Sequence, residues 1–358
     1  TLTIQPNSDP VFRYATVELV NDGGFVLEKI SIIQKSAAVK EIHVETAGTL
    51  ETLVTTEELN GHENVKITGR LNTFDYDYLK LAKDLKRVDL SDLDMNTMPA
   101  SAFSGSSLQT VLLPKNLVAI PSRAFYQSKI TSITIPETVV EIGEYAFYQC
   151  NQTSGNLVIP ANVESIGAYA FQDCTFDGEL TLSSLKLEEI KEYTFSGSKF
   201  TGKLALPLNV EKIGDHAFNS CSVFTGLTLN ENLLSIGESA FSGCSGFEGN
   251  LVIPDKVQTI GEKAFYNCRK FDGLLIFGRV VQSLGRDAFC YYYAGQQGSL
   301  PFKKIYFKGK TPPVFVPSHY SAFGGGPLKY IGVPIGSKEG YLKLLWSYEI
   351  DVIEEIEF

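Results

Sequence analysis

No run of about eighteen consecutive apolar residues occurs in this 358-residue chain, so its sequence holds no helix able to cross a bilayer. Histidine is scarce: His43, His62, His216 and His319 lie in different segments, and neither a Cys-x-x-Cys nor a His-Glu-x-x-His spacing is present to hold a metal. There is no Gly-x-x-x-x-Gly-Lys-Ser/Thr phosphate loop and no Gly-x-Ser-x-Gly elbow. Gly324-Gly325-Gly326 runs into Pro327 and reads as a loop. Carboxylates such as Glu188, Glu189 and Glu192 are spread over the surface without a nameable acid/base pair. Positive charge is also short: a net charge of -10 disfavours nucleic acid, whose binding depends on Lys and Arg neutralising phosphates. The one basic cluster, Lys303, Lys304, Lys308 and Lys310, reads as a solvated face. The chain opens at Thr1 without methionine or an apolar leader, and the expectation is that any export signal lies upstream. Together these absences point to a protein without catalysis, cofactor or metal.

What is present is a repeat. An aliphatic residue, Met98 in the first copy, is followed five positions later by phenylalanine, most clearly as Ile-Gly-x-x-Ala-Phe-x-x-Cys. Phe103, Phe125, Phe147, Phe171, Phe195, Phe218, Phe241, Phe265 and Phe289 are 22, 22, 24, 24, 23, 23, 24 and 24 residues apart. One such unit cannot bury its apolar face alone, so a period in the twenties implies a solenoid of stacked coils with a continuous core. Before each block stands an apolar triplet such as Leu157-Val158-Ile159 or Leu180-Thr181-Leu182, whose alternation reads as a strand with its outer members inward. Pro114, Pro136, Pro160, Pro207 and Pro254 follow directly and should end the strand. A Val-x-x-Ile segment comes next, then Gly143, Gly167, Gly214, Gly237, Gly261 or Gly285, expected to reverse the chain at positive φ. Ala-Phe-x-x-Cys resembles one helical turn on the back of the coil. The fold expected is an α/β solenoid with one parallel sheet, short helical turns on the opposite side, and caps at both ends.

Each phenylalanine should fill the same slot in its own coil and form an internal ladder. Tyr145, Tyr169, Tyr193 and His216 share a position two residues earlier, which favours an outer stack over a ligand role for His216. Of the six cysteines, Cys150, Cys174, Cys221, Cys244 and Cys268 follow a repeat phenylalanine by three residues, where Ser106, Ser128 and Ser198 stand in other coils. A slot that takes Cys or Ser reads as a small buried position filled by free thiols. Disulfides between adjacent coils stay open, because stacked strands about 4.8 Å apart fall within bridging reach, and a metal role is a third reading.

The organisation expected is a small β-rich segment over 1–45, an N-terminal cap and first coil over 46–90, repeats of 22–24 residues over 91–300, and final coils with a C-terminal cap over 301–358. Ala47 to Val54 and Phe74 to Ala82 read as helices, Val65 to Leu71 as a strand, and Leu85, Val88 and Leu90 as the start of the sheet. Towards the end, Ile305-Tyr306-Phe307 and Ile331-Gly332-Val333 extend the sheet ahead of a helix near Lys338 to Trp346.

The unit Leu-x-Ile-Pro … Val-x-x-Ile-Gly-x-x-Ala-Phe-x-x-Cys resembles the BspA-like leucine-rich repeat proteins, abundant on the surfaces of anaerobic gut and oral bacteria. Ala47-Gly48-Thr49-Leu50 and Val88-Asp89-Leu90-Ser91 in front reinforce it, as do Thr311-Pro312-Pro313 and Val333 to Tyr341 behind. Ser183 and Asn230 in place of proline, Lys191 in place of glycine, and Cys290 directly after Phe289 depart from the pattern without breaking the period. The resemblance implies a right-handed leucine-rich-repeat superhelix and a secreted or cell-surface protein, lipid-anchored to an outer membrane in one form. Some members of the family bind host matrix proteins or other bacteria, and the family has no shared catalytic motif, so no functional residue transfers.

A solenoid usually binds through residues pointing outward from its stacked strands. Those expected to carry contacts here are Asn156, Glu179, Lys203, Asn250, Leu274, Ile276, Lys304, Tyr306 and Tyr330. Small polar residues dominate the middle, while Leu274, Ile276, Tyr306 and Tyr330 gather an apolar, aromatic cluster towards the C-terminal end. Tyr291 to Ser299 could instead fold over that cluster. The functional expectation is a monomeric, non-catalytic adhesion module for protein partners, with carbohydrate capture or a rigid spacer as alternatives.

Overall fold

The computed structural model describes residues 13–20, 26–34, 39–293, 296–297, 300–316, 321–324, 328–345 and 350–358. His319, Trp346, the triad 325–327 and most of Tyr291 to Ser299 lie outside the described side chains.

The chain winds into a parallel solenoid. Leu157–Ile159 pairs in parallel with Leu180–Leu182, and Lys203–Ala205 with Gly226–Thr228, each residue opposite its repeat equivalent. In the first of these Leu157 and Ile159 are buried and Val158 is exposed, the alternation the triplets predict. The strands stop before the prolines, and where Asn230 replaces one, its side-chain amide donates to the carbonyls of Pro207 at 2.7 Å and Val210 at 2.8 Å. The stack is not one sheet. This column is cut into separate sheets, with Ile133 to Ile135 assigned no strand, and a second parallel ladder runs beside it. That second ladder is made by the Val-x-x-Ile segments and their Leu-containing equivalents: Glu189–Ile190, Lys212–Ile213, Ser235–Ile236, Thr259–Ile260 and Ser283–Gly285 pair in series, and Val314–Val316, outside that pattern, adds to the end.

The expected helical turns are absent from the described repeats. A helix bonds successive N–H groups within itself. Here alternate donors leave the coil instead: Tyr169, Phe171 and Asp173 donate to Glu192, Thr194 and Ser196 of the next coil at 3.1, 2.8 and 2.8 Å. Left-handed backbone at Tyr169 (φ 60°) and Asp173 (φ 56°) breaks any helix between them. The third side of each coil is therefore a run of tight turns hydrogen-bonded to its neighbour. Helices occur at the two ends, as Leu50–Leu53, Thr56–Asn60, Thr73–Leu81 and Lys338–Leu344.

The glycines also act differently from expectation. Gly143, Gly167, Gly214, Gly237, Gly261 and Gly285 are not at positive φ. At Gly167 and Gly285, the space a Cβ would need is filled by backbone of the preceding coil, at Glu144 and Glu262 respectively. Glycine is there to let coils approach, while left-handed conformation falls on Tyr145, Tyr169 and their equivalents.

Inside, the nine repeat phenylalanines stack as expected, from 5.3 Å between Phe103 and Phe125 through 4.9 Å between Phe147 and Phe171 to 5.4 Å between Phe265 and Phe289. A second buried ladder, Phe176, Phe200, Phe224, Phe247, Phe271 and Phe302, runs alongside at 5.2 to 6.3 Å. Cys150, Cys174, Cys221, Cys244 and Cys268 are buried free thiols. Each donates to the carbonyl of a phenylalanine in the preceding coil, as Cys221 does to Phe195 at 3.1 Å. Burial pushes the Cys221 thiol up to about 12, far from the range of a reactive thiolate.

At the start, the ladder begins earlier than Leu85: Lys40–Val44 already pairs in parallel with Asn64–Gly69, which pairs with Arg87–Asp89. Buried Asp75 ties this end together by accepting the N–H groups of Gly48, Leu50 and Asn72 at 2.6, 2.9 and 2.8 Å. Arg13–Val20 and Val26–Gln34 form a separate antiparallel pair. At the far end Leu274–Phe277, Lys304–Phe307, Leu328–Pro334 and Ile350–Ile356 form consecutive parallel strands, with the buried Tyr341 hydroxyl donating to Gly309 O at 2.7 Å.

Phe171→Ala is expected to cost about 3–5 kcal/mol in denaturant unfolding, because it opens a gap in the middle of the ladder. The five column thiols should resist alkylation in native buffer and react together once the chain unfolds, as mass spectrometry after iodoacetamide treatment would record.

Candidate functional site

The outward positions of the strand column divide into two groups. Asn156, Glu179 and Lys203 lie on successive coils, all exposed, and Asn250 leads the C-terminal group. Two of these four are occupied with holding coils together. Asn156 Oδ1 accepts the N–H of Glu179 at 2.8 Å, and Asp177 Oδ1 returns a contact by accepting the N–H of Gly155 at 2.7 Å. The same reciprocal clasp recurs where Asn250 accepts from Leu274 at 2.8 Å and Asp272 accepts from Gly249 at 3.1 Å. Gly178 and Gly273 are glycine because the asparagine oxygen occupies the place of a Cβ. Glu179 and Lys203 form no salt bridge among the described residues, and the Lys203 stem lies over Gly226.

The remaining five positions converge. Leu274 stands opposite Lys304, Ile276 opposite Tyr306, and Tyr306 opposite Gly332 on the following strand. Gly332 has no side chain to hold the Tyr306 ring away: a Cβ there would come within 2.5 Å of Tyr306 Cδ1. The Tyr306 and Tyr330 rings are 5.7 Å apart at 58°, and Lys304 Nζ lies 4.2 Å from the Tyr330 ring centre. Leu274, Ile276, Tyr306 and Tyr330 are each half-buried, leaving side-chain surface exposed. Beside them is a cleft of 420 Å³ lined by Phe302, Lys303, Lys304, Leu328, Lys329 and Tyr330.

Sequence reasoning missed the last strand, Ile350–Ile356, which completes this surface. Val352 stands opposite Tyr330, Phe358 meets Tyr306 edge-on at 6.2 Å, and Glu354 Oε2 accepts the Tyr330 hydroxyl at 2.7 Å. The spacing of Ile350, Val352, Ile353 and Ile356 carried a strand signal, weakened by the carboxylates between them.

Among the described residues no group of three His, Cys, Asp or Glu side chains could hold a metal. None of the described helices is long and apolar enough to cross a membrane. His43 bonds Thr68 and Glu45, and His216 stacks on Tyr193 at 4.5 Å.

The hydrogen bond to Glu354, then burial, pushes the Tyr330 phenol up to about 12, because ionisation would set two anions side by side. The folded chain thus favours the protonated phenol, a contribution present below the ordinary value of about 10 and lost as pH rises through about 12. Glu354→Gln should bring the Tyr330 transition back towards about 10 in an alkaline titration read against a Tyr330→Phe control.

The BspA type leucine rich repeat region matches in six copies over residues 57–154 and 151–272. No curated protein matches the chain. Similar solved structures include the pneumococcal vaccine antigen PcpA, 16% identical, with 91% of this chain and 86% of that chain covered and a TM-score of 0.37. A leucine-rich repeat protein from Eubacterium ventriosum is 15% identical over 72% of this chain and 83% of that one, with a TM-score of 0.39. A leucine rich cell surface protein from Faecalibacterium prausnitzii is 17% identical over 86% and 96%, with a TM-score of 0.40. Superpositions this loose leave the fold resting on the repeat itself. Because the matched stretch spans more than half of the sequence and carries the stacked coils described above, the chain belongs to the family of the BspA type leucine rich repeat region.

Proposed function

We propose that the protein is a non-catalytic, cell-surface binding module that captures a protein partner on the C-terminal end of its strand face. The observation that carries this reading is the exposed cluster of Leu274, Ile276, Tyr306, Tyr330, Val352 and Phe358, bordered by Lys304 and Lys329. Partly exposed tyrosines on a rigid sheet, with apolar neighbours and a charged rim, have the make-up of interface hot spots. Tyr306 lies against Gly332, and Tyr330 is bonded to Glu354 and covered by Lys304, contacts that lower the ordering cost of binding. Membership of the BspA type leucine rich repeat family supports a surface location.

Carbohydrate capture is the second reading, favoured by the tyrosine pair itself. Lys304 lying over Tyr330, and Tyr306 lying against Gly332, leave little open ring face for a sugar, which tilts the balance to protein. A rigid spacer would bind neither.

Tyr306→Ala with Tyr330→Ala should weaken capture of a matrix-protein partner by at least about 2 kcal/mol in surface plasmon resonance. The far-UV circular dichroism spectrum should stay that of the parent, showing that the fold survives loss of the Tyr330–Glu354 hydrogen bond. A panel of matrix proteins run beside a glycan array tests the proposal: unchanged capture by the double variant, or binding confined to glycans, would discard it.

A further inference from the structure

A different side of the solenoid carries a longer run of half-buried aromatic rings. Tyr145, Tyr169, Tyr193 and His216 form one column, stacked at 4.7, 4.9 and 4.5 Å, and Arg123, one coil earlier in the same column, places its guanidinium 5.3 Å from the Tyr145 ring centre. Tyr126 and Tyr148 stack at 5.1 Å alongside, with Tyr148 meeting Tyr145 edge-on at 5.4 Å. All six rings are half-buried, and they span the coils of Phe125 through Phe218.

The fold does not require aromatic residues there. Ser101, Arg123, Ser239, Lys263 and Asp287 hold the same left-handed backbone in other coils, with φ between 50° and 59°. A bulky side chain is a poor choice for such a backbone, since glycine or asparagine adopts it more easily. Three consecutive tyrosines therefore add something other than fold. Their main chain is fixed, with the N–H groups of Tyr145, Tyr169 and Tyr193 bonded to the next coil at 3.1, 3.1 and 2.9 Å. Rigid tyrosines with only two side-chain torsions are economical contact residues.

The charge around the ladder selects its occupant. Glu144, Glu192, Asp215 and Glu238 are exposed beside the column and Asp173 is half-buried next to Tyr148's coil; none forms a salt bridge among the described residues. Lys191 and Lys212 line one cleft with Glu192, Asp215 and Glu238, and Arg123 stands at the head of the column, so these five carboxylates outnumber the three cations beside them. Burial raises the Tyr169 phenol and the carboxylates of Glu192 and Glu144 add to it, while burial and Asp173 do the same for Tyr148. Those carboxylates consequently act on the same patch that the phenols occupy. Face-to-face stacking consumes the ring faces and leaves phenolic edges and carboxylates to a partner, all of them able to accept hydrogen bonds from guanidinium or ammonium groups.

We propose that this tyrosine ladder is a second docking surface, which takes a flexible arginine- or lysine-rich segment of a partner protein. It is separate from the Tyr306 and Tyr330 surface and does not depend on the reading given to that surface.

Fluorescence anisotropy with a labelled Arg-Ser repeat peptide, and its Glu-Ser counterpart as control, tests this directly. The Arg-Ser peptide should bind and weaken with added salt, while the Glu-Ser peptide should not bind. Tyr145→Ser with Tyr169→Ser, a residue that the same backbone already carries at Ser101 and Ser239, should lower affinity by about tenfold or more. Glu144→Gln with Glu192→Gln should also weaken binding, and Tyr306→Ala with Tyr330→Ala should leave it within about twofold. Failure of the Arg-Ser peptide to bind, or binding that survives the tyrosine variant within about twofold, overturns the proposal.

Discussion

Backbone hydrogen bonding between consecutive coils, in register and in parallel, is the constraint from which the rest of the molecule follows. Leu180 opposite Leu157 and Ile213 opposite Ile190 show the rule, a residue meeting its own equivalent a coil away, and the bridge of Glu179 to Thr201 instead of Lys203 is a local departure from it. Coils about 4.8 Å apart leave no space for a Cβ between them at the glycine column, so Gly167 and Gly285 follow from the spacing and not from chain reversal. The same spacing sets phenylalanines at a comfortable stacking distance, and lets a thiol reach back to a carbonyl of the preceding coil. The core is a set of columns, each cooperative with its neighbours and weak alone.

That geometry bears on function as well. A reactive centre needs unlike groups brought together, whereas in-register stacking brings like groups together. The buried polar positions bear this out, since Ser198 and the cysteines serve as small fillers that bond main-chain carbonyls. Binding suits such an architecture better, because outward columns can vary without disturbing the ladder. The two surfaces where variation accumulates aromatic residues are the last strands, with Tyr306 and Tyr330, and the ladder of Tyr145, Tyr169 and Tyr193.

Much of this was legible in the sequence, because a repeated column announces itself through its period. The phenylalanine ladder, the inward Leu157 and Ile159, and the Tyr145 to His216 stack could all be read from spacing. Three features could not. Ile166 and Ile190 belong to strands only two residues long, too short for an alternation to show. Ala-Phe-x-x-Cys has helix-like apolar spacing, yet left-handed backbone at Tyr169 and Asp173, invisible in residue type, turns it into a third hydrogen-bonded side. Asn156 and Asn250 looked like free surface, and only their pairing with Gly178 and Gly273 marks them as clasps. At the candidate site the sequence placed Tyr306 and Tyr330 together, but the strand bringing Val352, Glu354 and Phe358 to them was hidden among carboxylates.

Register can be measured without any ligand. Val158 and Thr181 are exposed partners on adjacent coils, whereas Lys203 lies a further coil away. Cysteines at Val158 and Thr181 should form a disulfide readily under mild oxidation, since neighbouring parallel strands fall within bridging distance. Cysteines at Val158 and Lys203 should not. Equal cross-linking of the two pairs, or none in the first, would contradict the in-register stack on which every column described above depends.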